Sequence, residues 1–231
     1  MADPDLFNRA RKLKADAVAQ LLTEHYPAVY RLAMAMAGDR GSGERVARTM
    51  LQRAIRRLPD WKHPDEVQRW FHHHTVLLTR TAASEVDPRS DVLVSAVSQP
   101  SPQYVAFVRA LRLLPPQPRE AILLHHAEGL DPRAMAVAMD CSMQAAANHL
   151  AVGRRDLQPV AGDDLDRLLA EMRQVYQSLT PQDSLALPLV RKLVRRHLWP
   201  RRIWRIVRLV LILAILAAIG WAAWTYLPIP G

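Results

Sequence analysis

Between Leu113 and Leu157 the chain has room for three short helices, the last two joined by a tight turn, and this spacing constrains the fold more than any other feature. Pro115, Pro116 and Pro118 open the first helix, where missing N–H groups cost little, and Ile122, Leu123, Leu124 and Ala127 supply its apolar side before Gly129 stops it. A second helix is predicted from about Pro132 to Met139. Asp140, Cys141 and Ser142 make the turn: aspartate tolerates a left-handed backbone, and Ser142 can cap the helix that follows. The third helix sets Ala146, Leu150, Gly153 and Leu157 on an inward face, so Gln144, Ala145, Ala147, Asn148, His149 and Val152 point outward. Such an outward face suits recognition, not catalysis.

The first third of the chain has the same helical period. Leu22, Tyr26, Val29, Tyr30, Ala33 and Ala37 share one face, and the run Gly38, Asp39, Gly41, Ser42 and Gly43 ends that helix. A second helix buries Ala47, Met50, Leu51, Ala54 and Leu58, ends at Pro59 and leaves Arg45, Arg48, Arg53, Arg56 and Arg57 to solvent. Val67, Trp70, Phe71, His74, Leu77 and Leu78 continue the pattern in a third. No alternating segment is long enough to nominate a sheet, so the fold class is all-α, built from small helical bundles. His72, His73 and His74 point about 100° apart on a helix and cannot converge on one ion, and His125 and His126 fail for the same reason. Without a Ser-His-Asp set, paired carboxylates or a phosphate loop, neither an enzyme, a metal site nor a cofactor is expected.

The stretch LLPPQPREAILLHHAEGLDPRAMAVAMDCSMQAAANHLAVGRRDL resembles the C-terminal promoter-binding domain of extracytoplasmic-function sigma factors. It has the proline-opened helix, the Arg119-Glu120 pair, the Glu128-Gly129-Leu130 turn, Cys141-Ser142 and the closing Arg154-Arg155. A second block, LTEHYPAVYRLAMAMAGDRGSGERVARTMLQRAIRRLPDW followed by EVQRWFHHHTVLL, resembles the N-terminal domain of the same family. The resemblance implies transcription initiation in a bacterial cell, with core RNA polymerase and promoter DNA as partners and an opposing regulator among them. It places polymerase binding on Glu44, Arg45, Arg48 and Gln52, promoter opening on Trp70, His72, His73 and Arg80, and DNA contact on Gln144, Asn148, His149, Arg154 and Arg155.

Several of these positions depart from the family pattern. Where the family's clamp-binding run is acidic, Glu44 is kept but Arg45 and Thr49 replace acids, and charge reversal at a complementary interface adds repulsion as well as removing attraction. The third helix of the second block has Ala145, Ala146, Ala147, Asn148 and His149 where two cationic residues are usual, leaving Gln144 and Asn148 to pair with adenine and Arg154 and Arg155 to hold phosphate. An asparagine position in the N-terminal domain reads Leu77. These changes sustain an alternative reading: a sigma-derived interaction or regulatory module at the membrane that does not itself initiate transcription.

The predicted organisation is an N-terminal helical domain over 1–83, a flexible linker rich in proline and serine over 84–103, the helix-turn-helix domain over 104–158, an amphipathic helix and hinge over 159–190, a basic segment over 191–208 and a transmembrane helix over 209–227. Leu165, Leu168, Leu169, Met172, Val175, Tyr176 and Leu179 form one apolar stripe that folds back onto the helix-turn-helix domain or docks a partner. The run Leu209–Gly231 carries no charge, and 19 residues of helix span about 28 Å, close to a bilayer's hydrocarbon core. Of the net charge of +9, eight positive charges fall between Arg191 and Arg208, leaving 23 basic and 22 acidic residues upstream. Most of the excess therefore belongs to a membrane flank made by Arg195, Arg196, Arg201, Arg202, Arg205 and Arg208, with a bilayer of anionic lipids as a further partner. This predicts an inner-membrane protein crossing once at its C-terminus, with residues 1 to about 200 in the cytoplasm, where the single cysteine, Cys141, fits a reducing compartment.

Overall fold

The computed structural model describes residues 3–82, 91–181, 188–196, 198, 208, 210–217 and 221. Every regular element among them is helical. The elements are α1 (Pro4–Arg11), α2 (Ala15–Ala37), α3 (Arg40–Arg57), α4 (Asp65–Ala82), α5 (Val92–Ser95), α6 (Pro102–Leu113), α7 (Pro116–Ile122), α8 (Pro132–Met139), α9 (Met143–Ala161) and α10 (Leu165–Ser178). Residues 188–196 and 210–217 are also helical.

The N-terminal bundle is α1 to α4. Asp39 caps α3 by accepting from the Ser42 N–H at 2.7 Å, and Gly38, at φ 82°, turns the chain from α2 into α3. The two helices cross closely at Gly43, where a Cβ would lie 2.6 Å from Met34 Sδ and 2.9 Å from its Cα. Val46, Met50, Leu51, Ile55 and Leu58 of this hairpin and Val67, Phe71 and Val76 of α4 are buried together. Trp61 and Trp70 close one end edge to face, 5.4 Å between ring centres.

A polar node connects this bundle to the helices that follow. Asp91 is fully buried and caps α5 by accepting from the Leu93 N–H at 2.8 Å. Arg112 of α6 donates to both Asp91 oxygens and, at 2.7 Å, to the Ala35 carbonyl in the last turn of α2. The Val92 N–H reaches the Gly38 carbonyl at 2.8 Å. A Cβ on Gly38 would meet the Arg112 guanidinium at 3.1 Å, so a side chain is opposed there by both backbone conformation and space. Asp91 and the residues up to Gln103 belong to the stretch assigned to the linker, of which 84–90 lie outside the described residues; α6 begins beyond Ser101, which caps it.

The structure corrects the C-terminal reading. Among the described residues no helix is long and apolar enough to cross a membrane. Of the span predicted over 209–227, residues 210–217 are described, as helix. The remaining residues of that span, apart from Trp221, lie outside the described residues, as do Arg201, Arg202 and Arg205 of the flank. The transmembrane helix, the inner-membrane location and the bilayer as partner therefore lose their basis. Arg195 and Arg196 are exposed on the 188–196 helix, but Val190, Leu193, Val194 and Leu198 are buried. Arg191, Val194 and Arg195 line a groove with Ala15, Asp16, Ala19, Thr23 and Glu24 of α2, so the amphipathic stripe faces protein.

Because Asp91 has no exposed surface and Arg112 little, removing one partner leaves a charge uncompensated. Arg112→Ala is expected to lower the unfolding free energy by about 3–5 kcal/mol, measured by urea denaturation. Adding Asp91→Asn should recover part of that loss, and equal stability of the single and double variants would contradict the assignment.

Candidate nucleic-acid interface

The helix-turn-helix is built from local caps. Asp131 accepts from the Ala134 N–H at 2.7 Å at the start of α8, and Ser142 Oγ accepts from the Ala145 N–H at 3.1 Å at the start of α9. Asp140 takes the left-handed conformation between them, φ 57° and ψ 53°. After α7 the helix widens into a π-turn over Leu123–Ala127, with the Glu128 N–H reaching the Leu123 carbonyl at 3.1 Å, and Gly129, at φ 81°, leads away from it. Gly153 lets α9 press on α7: a Cβ there would stand 2.7 Å from Ile122 Cγ1 and 3.0 Å from the Pro118 carbonyl. Ala146 and Leu157 are buried on the same face, and Leu150 is half-buried.

The opposite face of α9 leaves Gln144 and Asn148 exposed, with Gln144 Nε2 donating to Asn148 Oδ1 at 3.1 Å. His149 is half-buried beside them. Arg155 projects to solvent near Asp156, at 3.0 Å. Arg154 is engaged: it reaches Asp166 of α10 at 2.8 Å and His126 Nε2 at 3.3 Å. On α3, Glu44 pairs with Arg40 at 3.1 Å, Arg45 donates to Ser42 Oγ at 2.7 Å, Arg48 is exposed and Gln52 half-buried. These residues share one solvent-facing side, well apart in sequence from the α9 face.

The α4 residues assigned to promoter opening do not form a free patch. Trp70 stacks on His74, ring centres 4.3 Å apart, and His73 is half-buried. His72 is buried, its Nε2 3.1 Å from Glu128 Oε1. Arg80 forks onto Glu120 of α7 at 2.8 and 2.7 Å and also reaches the Met139 carbonyl at 3.3 Å. Sequence reasoning picked out the Arg119-Glu120 pair and the Glu128 turn as motif residues and missed the role of Glu120 and Glu128 as partners of α4. Nothing in the local sequence links positions 40 to 56 residues apart.

Burial depresses His25, His74 and His126. His126 is pushed down to about 4, first by desolvation, then by His125 and Arg154, with Arg173 adding and Asp166 opposing. His74 is lowered by burial and by His73, and His25 by burial. Burial, then the neighbouring Glu128, raises the Tyr176 hydroxyl far above its ordinary range, so it stays a donor.

Residues 104–157 match the family described as sigma-70, region 4. No curated protein is significantly similar in sequence to the chain. The solved structure of CnrH in complex with the cytosolic domain of CnrY is similar with a TM-score of 0.52 at 19% identity, over 69% of this chain and 96% of the matched one. The sigma factor RpoE from Bartonella quintana, solved in complex with the anti-sigma factor NepR, gives a TM-score of 0.49 at 19% identity, over 63% and 96%.

A histidine held neutral by burial takes up its proton later than in the unfolded chain, so stability should fall as pH drops from 6.5, the ordinary histidine value, toward 4. Urea midpoints measured across that window are expected to decline, and His126→Gln should flatten part of the slope; an unchanged slope would contradict a buried neutral His126. Residues 104–157 thus match sigma-70 region 4, within a chain whose described helices share the fold of CnrH.

Proposed function

We propose that the protein is a sigma-factor-type subunit acting in transcription initiation, which binds core RNA polymerase through its N-terminal helical bundle and promoter DNA through α9. The observation that carries this reading is the region 4 match over residues 104–157, coinciding with a capped helix-turn-helix whose second helix has Gln144 and Asn148 on an exposed face. Those two amides suit the adenine edge in the major groove, and Arg155 suits phosphate. Glu44, Arg45, Arg48 and Gln52 on α3 are the proposed polymerase contacts. With Arg45 and Arg48 exposed, the complementary surface would be more acidic than the one an acidic helix seeks. CnrH is solved with the cytosolic domain of CnrY bound, and an opposing protein regulator of that kind is part of the proposal.

A second reading, an interaction module that no longer initiates transcription, is favoured by the alanines at 145–147 and by the engagement of His72 and Arg80 with Glu128 and Glu120. The full chain incubated with core polymerase separates the two. Co-elution on gel filtration together with run-off transcription supports the first reading, and co-elution without initiation supports the second. Within the first, Arg155→Ala should weaken binding equally on all sequences and reduce the slope of log affinity against log salt by about 1. Gln144→Ala should cost about 1–3 kcal/mol of discrimination at a single base pair, read by competition between duplexes.

A further inference from the structure

Three side chains assigned to nucleic-acid contact each have a carboxylate of the same chain on them. Arg80 holds Glu120 through two bonds of 2.8 and 2.7 Å, His72 lies 3.1 Å from Glu128, and Arg154 is 2.8 Å from Asp166. Arg80 and His72 belong to α4, but Glu120 and Glu128 come from the helix-turn-helix half, so two of the pairs cross between the halves. A carboxylate offers a guanidinium the same planar pair of acceptors as a phosphate, so each bond fills the donors that a nucleic-acid backbone would use.

Helix α10 makes contacts with both halves of the arrangement. Its stripe of Leu165, Leu168, Leu169, Met172 and Val175 is buried, and the helix packs on the π-turn after α7, on α9 and on α2 and α5. Tyr176, 2% exposed, donates from its hydroxyl to Glu128, and the Arg31 guanidinium of α2 lies 5.9 Å over its ring. One aromatic side chain thus touches the N-terminal bundle and the carboxylate that masks His72. Asp166, nearly three turns earlier on the same helix, masks Arg154. At the helix's start Asp164 and Arg167 both bond Gln103 of α6, at 2.9 and 2.7 Å.

We propose that α10 is a clasp in cis that holds the protein in a self-masked state, in which Glu120, Glu128 and Asp166 occupy Arg80, His72 and Arg154 in place of phosphate. The masking rests on the nucleic-acid reading above; the clasp itself rests on geometry alone. Release of Tyr176 frees Glu128 and lets the α4 face part from α7 and α8, exposing His72 and Arg80 together.

The test uses the full chain with Cys141→Ser and spin labels at Arg53→Cys and Ala151→Cys. Wild-type contacts should give a single label distance, and Tyr176→Phe with Asp166→Asn should add a longer, broader population. The same variant should bind a random-sequence duplex about tenfold more tightly. A folded variant with an unchanged distance and unchanged affinity overturns the proposal. Should that variant lose its helical circular dichroism, Glu120→Gln, which leaves α10 intact, takes its place: tighter duplex binding supports the mask and unchanged binding overturns it. If distances lengthen but no variant binds the duplex, the clasp stands and the nucleic-acid reading falls.

Discussion

Arg112 reaches from α6 across Asp91 to the last turn of α2, and the relative placement of everything after residue 91 depends on that reach. Two charges are removed from water there, which is costly unless nearly every donor and acceptor is used. The geometry comes close to that: both Asp91 oxygens accept from Arg112, one also caps α5, and the Ala35 carbonyl takes a further guanidinium N–H. Arg119 of α7 then donates to the Arg112 carbonyl at 3.1 Å, so the node extends into the start of the helix-turn-helix. With α2, α5, α6 and α7 tied at one point, α8 is brought against α4, and the polar pairs of Arg80 and His72 become possible.

What could be read in advance follows from the range of each interaction. The limits of α8, the left-handed Asp140 and the Ser142 cap agree with the sequence reading because caps and turns are decided within three or four residues. The α10 stripe was legible as a pattern, but its cover was not, since period says which face is buried and not against what. Arg31 against Tyr176 and Arg80 against Glu120 are pairings across the chain and leave no periodic trace. α6 went unread for a different reason: its Ser101 cap and first-turn Pro102 sit in a proline- and serine-rich stretch whose composition resembles a linker.

The C-terminal error has its own cause. A run without charges has no period, so length alone decided for a membrane helix, and the arginines before it were then explained by lipid. Three of those arginines, Arg191, Arg195 and Arg196, share residues 188–198 with a second signal, the buried stripe of Val190, Leu193, Val194 and Leu198 at helical spacing. Amphipathic spacing marks packing against a protein surface as readily as against a bilayer. The groove with α2 shows which of the two the structure uses.

Hinge and latch can be told apart by the cost of opening each. The Arg112 node is buried and would strand a charge in low dielectric if broken, whereas Arg154 keeps about a third of its side-chain surface and Asp166 most of its own; Glu120 and the His72–Glu128 pair are buried and regain water only as the two faces part. Exposed pairs exchange readily with water or with another anion at little net cost. Contacts within each bundle are mainly apolar and would be lost only on unfolding, but those joining α4 to α7 and the Glu128 turn include several polar bonds. Opening would therefore proceed as a rotation about the Arg112 node that breaks the bonds of His72 and Arg80 while leaving both cores intact. An arginine passing from Glu120 to phosphate changes its partner and not its charge state, so the free energy of opening would be governed mainly by Tyr176 and the apolar side chains around it.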